Sequence, residues 1–152
     1  MTAETILLAS LDEALALGAK LAAVAGPGDV IALSGPLGAG KTSIARGLLA
    51  ALGLEGEAPS PSFAIVQPYE VPEVRLPVLH VDLYRIEDPD EAEELGLDDA
   101  RYDALLLVEW PERLPASAWH DALWLTLAVA ADGTRSLTAR VPAAWEGRWP
   151  LT

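Results

Sequence analysis

The chain has 152 residues, 51% of them apolar, a net charge of -13 and no cysteine. Such a length and apolar content suit one domain, expected over residues 1–152, with a core of its own. The acidity argues against unaided binding of DNA or RNA, which draws its affinity from many Lys and Arg contacts. The missing cysteines remove disulfides, thiolate metal sites and thiol nucleophiles. No run of eighteen or more apolar residues occurs, and "MTAETILLAS" lacks the basic and long apolar parts of a signal peptide, so a cytoplasmic protein with no membrane association is expected.

In chain order, residues 5–9, "TILLA", read as a short strand. A helix follows with Ser10 as N-cap, Leu11, Leu15, Leu17, Leu21 and Val24 along its apolar face, and "GPGD" as its stop. "DVIALSG" is a short apolar run ending in glycine, as in a buried parallel strand. "KTSIARGLLAALG" has helical spacing at Ile44, Leu48, Leu49 and Leu52, with Gly53 placed to end it. Prolines then mark loops around a strand at 63–67.

"LPVLHVDLYR" predicts a strand with Val78, His80 and Asp82 on one face and Leu79, Val81 and Leu83 on the other. The carboxylates of 87–103 sit on one or two short helices and read as a solvated face. "ALLLVEW" is a buried central strand running into an acid. "ALWLTLAVAADGTRSLTARVP" alternates, turns at Asp132-Gly133 and alternates back, as a β-hairpin does. "WEGRWPLT" is expected to fold back onto the body, Trp145 and Trp149 covering a sheet edge. The order of elements gives an α/β fold of the P-loop NTPase kind: a mixed, mostly parallel sheet flanked by helices, with a C-terminal antiparallel hairpin.

The stretch "GPLGAGKT" fulfils G-x-x-x-x-G-K-[ST] with Gly35, Gly40, Lys41 and Thr42. Glycines let successive backbone N–H groups turn inward around a phosphate, and the helix that follows directs its positive end to the same place. Gly35, Pro36, Leu37, Gly38, Ala39, Gly40, Lys41, Thr42 and Ser43 are therefore the expected cradle, Lys41 reaching the β- and γ-phosphates and Thr42 a Mg²⁺ ion. Such a site also needs a strand-end carboxylate for the metal and a group that orients water. Glu109 and Asp82 both have that position, and spacing does not decide between them. His80 shares the Asp82 face but reads as structural, Trp110 reads as a functional aromatic beside Glu109, and Ser62 reads equally as part of a turn into a strand or as a hydroxyl on a loop that senses nucleotide.

Together, "SGPLGAGKTSIARGLLAALG", "SPSF", "HVDLYRIEDPDEAEELGL" and "LLLVEWPERLP" closely resemble the TsaE (YjeE) family over roughly residues 5 to 141. These are small bacterial ATPases required for threonylcarbamoyl-adenosine modification of tRNA. The resemblance implies ATP and Mg²⁺ as cofactors, Lys41 and Thr42 at the phosphates and metal, Glu109 as the acid at the metal, and Asp82 in the catalytic centre. It implies a switch-like loop at 60–63 and places Leu11 and Asp132 near the adenine. It further implies association with TsaB and TsaD, so that tRNA is met only through the complex. The chain alone is expected to be monomeric or weakly self-associating.

Two departures stand out: serine at 62 where the family commonly has threonine, which keeps the hydroxyl, and Pro36 where it usually has an acid. A small-molecule kinase shares the phosphate loop but usually needs several lid arginines, and the segment after the acidic stretch has only Arg101 and Arg113. A non-enzymatic adaptor ordered by ATP is the third reading.

Overall fold

A computed structural model describes residues 2–36, 38–56 and 66–149. Among these residues seven strands and four α-helices follow one another as β1 (Thr2–Leu8), α1 (Leu11–Val24), β2 (Val30–Ser34), α2 (Lys41–Ala51), β3 (Val66–Tyr69), β4 (Val78–Asp82), α3 (Pro89–Glu93), α4 (Leu97–Ala100), β5 (Leu105–Glu109), β6 (Leu123–Val129) and β7 (Arg135–Val141). The strands form one sheet in the order β1-β7-β6-β2-β5-β4-β3. Its four central strands, β6, β2, β5 and β4, are parallel. The outer three join antiparallel: β7 and β1 on one side, β3 on the other. The mixed sheet, its helices and the C-terminal hairpin are those the sequence predicts.

Alternation along the strands divides the apolar side chains between two cores. Ile31, Leu33, Leu105, Leu107 and Val78 face α1 and α2. Val30, Ala32, Leu106, Val108, Val81 and Leu83 face the opposite way, onto Trp119 and the segment around α3 and α4. β4 thus has the two faces read from its sequence. β5, in the middle, is buried along its whole length, as a strand covered on both sides must be. Pro68, which has no N–H to give, lies in the edge strand β3.

α1 starts at a reciprocal cap: Ser10 Oγ accepts from Glu13 N at 3.2 Å, and the Glu13 carboxylate accepts from Ala9 N. Of its predicted apolar face, Leu17 and Leu21 are buried, Leu15 and Val24 half-buried, and Leu11 is 60% exposed. Leu11, in the first turn of α1, lines a cavity rather than the core. α1 and α2 pack backbone to backbone. A Cβ at Gly18 would lie 2.2 Å from Ile44 O, and one at Gly47 2.2 Å from Leu15 O.

The predicted strand at 63–67 is found as β3 from residue 66, its earlier residues lying outside those described. The hairpin closes with Ala130 N on Thr134 O at 2.8 Å. Residues 145–149 of the C-terminal stretch fold onto the body as expected, Trp145 buried and Trp149 Nε1 donating to Glu4 on the edge strand β1 at 3.0 Å. Among the described residues no helix is long and apolar enough to cross a membrane.

Candidate functional site

The loop joining β2 to α2 leaves the sheet between its parallel central strands, where crevices form at the carboxyl ends of strands. Gly35, Gly38 and Gly40 have φ of 141°, 80° and 113°, values a residue with a Cβ rarely adopts. Gly35 is doubly required, because a Cβ there would meet Leu127 O of β6 at 2.6 Å. The turn is closed by Ala39 N on Pro36 O, and α2 opens with Ile44 N on Gly40 O.

Beside the loop lies a cavity of about 350 Å³ lined by the N-cap Ser10, Leu11 and Ala14 of α1, Gly38 to Ser43 in part, Asp82, Glu109, Trp110 and Arg135. It brings together Lys41 and Thr42 from the start of α2 with the carboxylates that end β4 and β5, adjacent in the sheet as the pair Asp82 and Glu109. Gly35, Pro36 and Ala39 shape the loop without lining the cavity. Asp132 stays at the hairpin tip, accepting from Thr134 N at 2.9 Å, and does not reach it. Leu37 and Ser62 lie outside the described residues. A larger cleft, about 560 Å³, sits over the second core, but its cation Arg101 is bound to Asp121 and Gly28 O.

Four charged or titratable side chains are buried here: Lys41, His80, Asp82 and Glu109. Lys41 Nζ donates to Gly35 O at 2.6 Å and lies 3.8 Å from the Trp110 ring centroid. Burial pulls its ammonium below the ordinary lysine range, against the opposing pull of Glu109, Glu112 and Asp82. Asp82 accepts from Tyr84 N at 2.9 Å, yet its carboxyl lies above the ordinary range, burial being the main cause. Glu109 accepts from His80 Nε2 at 2.7 Å.

Trp110 has a left-handed backbone, φ 60°, the only such non-glycine among the described residues. Pro111 follows it and disfavours the right-handed helical region at 110. The turn aims the indole at Lys41 and at Tyr84, whose ring centroid is 4.9 Å away. Oxygen donors of this kind, one hydroxyl and two carboxylates, fit a Mg²⁺ ion that takes its other ligands from phosphate and water. No group of three or more His, Cys, Asp or Glu among the described residues is arranged for a metal.

Sequence reading passed over Arg135, which reaches the cavity from the first residue of β7, and Tyr84 beneath Trp110. The signal for Arg135 was available: a cation directly after a hairpin turn, in a chain with few of them.

The family model described as "Threonylcarbamoyl adenosine biosynthesis protein TsaE" matches residues 8–137. The chain belongs to the TsaE family. Among TsaE relatives, that of Bacillus subtilis strain 168 is 38% identical over 128 residues, 84% of this chain and 78% of that protein. That of Streptomyces coelicolor is 38% identical over 135 residues, 88% of this chain and 91% of that protein. The crystal structure of Bacillus subtilis YdiB superposes with a TM-score of 0.70 at 31% identity, covering 91% of this chain and 84% of that one. The P-loop fold and the TsaE family assignment agree with the resemblance carried by the sequence motifs.

Proposed function

We propose that the chain is a Mg²⁺-dependent ATPase serving threonylcarbamoyl-adenosine modification of tRNA, acting in the cytoplasm with TsaB- and TsaD-type partners. One observation carries this reading: a single cavity joins Lys41 and Thr42 of the glycine loop to the strand-end carboxylates Asp82 and Glu109. Family membership supports the pathway. ATP is preferred to GTP because the sequence has no N-K-x-D stretch of the guanine-reading type.

Backbone N–H groups of the loop and the start of α2 would hold the phosphate tail, and Lys41 would neutralise charge on its β- and γ-phosphates. Thr42 and Glu109 would hold the ion, Glu109 being oriented by His80. A bound Mg²⁺ polarises phosphoryl oxygens and neutralises charge that develops as the γ-phosphoryl leaves. Asp82, whose carboxyl burial holds above the ordinary range and so makes its ionised form the stronger base, would orient the attacking water and accept its proton. At rest Lys41 is spent on Gly35 O and Trp110. Freeing it opposes binding, which favours slow turnover alone and stimulation by partners. The acidity of the chain leaves tRNA to those partners.

The test is phosphate release from MgATP with and without TsaB and TsaD, beside calorimetric binding. Expected are weak unaided turnover, stimulation by partners, and loss of turnover in Glu109→Gln with nucleotide still bound. Fast turnover indifferent to partners, or full modification of tRNA by a hydrolysis-dead variant, would overturn the reading.

A further inference from the structure

We propose that Arg135 is a ligand of the nucleotide's phosphate tail, a second cation brought to the glycine loop by the β6–β7 hairpin. The inference rests on the nucleotide-binding reading above and adds a residue to that site.

The backbone of Arg135 is fixed on both sides, by Leu8 of β1 and by Val129 of β6. From this anchor the side chain reaches the glycine loop, where Nη2 donates to Gly38 O at 3.3 Å. That contact is long, and it is the one hydrogen bond found for this side chain among the described residues. Nε is buried and has no partner. A guanidinium carries five N–H donors, and a buried donor left unmade is costly. Arg135 therefore holds unused donor capacity in the cavity it shares with Gly38, Gly40, Lys41 and Thr42 of the loop and with the carboxylates Asp82 and Glu109.

The surroundings sharpen the point. The chain has 23 acidic and 10 basic residues, and two other partly buried arginines are committed to carboxylates: Arg101 to Asp121 and Arg148 to Asp29, each at 2.6 Å. Among the described residues Arg135 makes no ion pair. An acidic chain that keeps one arginine beside a glycine loop, without an ion pair to the carboxylates Asp82 and Glu109 of the same cavity, has the chemistry to receive an anion from outside. Its planar fork matches phosphate oxygens in pairs, which an ammonium cannot do. Gly38 stands on the loop ahead of Lys41, so the guanidinium and the ammonium approach the tail from different positions along it.

The probes are ADP and tripolyphosphate, the latter a tail with no base or ribose, titrated by calorimetry or by displacement of a fluorescent ADP. Arg135→Ala is expected to lose about 10- to 100-fold in affinity for both, as removal of a charge-assisted hydrogen bond does. Arg135→Lys is expected to lose less, keeping charge without the fork. Arg135→Gln serves in place of the alanine variant if that one melts early. Wild-type affinity for ADP in the alanine or glutamine variant would overturn the inference. So would a loss confined to ADP with tripolyphosphate unaffected, which would put Arg135 at the base or ribose. A wild-type chain that binds neither probe would instead overturn the nucleotide reading, and this inference with it.

Discussion

His80 holds Glu109: Nε2 donates to Oε2 at 2.7 Å between neighbouring strands β4 and β5, with both side chains buried. The acid expected at the metal is thereby fixed by a residue that does not line the cavity. His80→Leu removes the donor and leaves a buried carboxylate short of a partner, a cost of about 1–3 kcal/mol. A lower Tm is expected, together with a loss of MgATP turnover that His80→Gln partly restores. Unchanged Tm and turnover in the leucine variant would show that the contact does nothing.

Asp82 sets a pH dependence of known sign. Burial raises its carboxyl in the folded state, so the folded chain takes up this proton at a higher pH than the unfolded chain does. The favourable contribution is full below the ordinary carboxylate range and is lost as pH rises through the raised value. Asp82→Asn should therefore be more stable than the parent at pH 7, by about 1 kcal/mol or about 2–4 °C in Tm. The advantage should vanish in acid. Turnover should fall by at least about 100-fold, the scale of a lost general base. Thermal melts from pH 4 to 8 with parallel phosphate assays decide it, and a variant less stable at pH 7 would contradict the account.

The parts of this molecule that were legible in the sequence are those set by local pattern. The glycine loop between strand and helix, the two faces of β4, the buried run of β5 and the Asp132-Gly133 hairpin each follow from spacing along one segment. What was not legible depends on register between segments. No spacing says that His80 and Glu109, 29 residues apart, meet across a ladder. None says that Arg135 of the hairpin falls beside Gly38, or that Gly18 and Gly47 are where two helices touch. Leu11 belonged to the apolar face by periodicity, yet at the first residue of α1 it lines a cavity and is 60% exposed.

Lys41 rests 3.8 Å from the centroid of the Trp110 ring, and on the proposed function a bound nucleotide would draw it away. The emission of Trp110 should therefore change on adding MgATP. The change should be lost in Trp110→Phe, although four other tryptophans remain. Lys41→Ala should bind MgATP about 10- to 100-fold more weakly and should show the altered emission without nucleotide. A nucleotide-dependent change that survives in Trp110→Phe would assign it to another tryptophan and leave Lys41 unmoved.

The close approach of α1 to α2 gives the last expectation its sign. Alanine in place of a helical glycine ordinarily stabilises by up to about 1 kcal/mol. At Gly47 the added Cβ would stand 2.2 Å from Leu15 O, a backbone atom that cannot rotate aside. The helices would have to separate, so Gly47→Ala should destabilise by about 2–3 kcal/mol, the upper part of the range for overpacking. Because Leu11 on α1 and Lys41 to Ser43 on α2 line the same cavity, the separation should also weaken MgATP binding. Denaturant melts and calorimetry on one sample measure both. A stabilised variant with unchanged affinity would mean that the helices are free to slide, and that their contact does not shape the site.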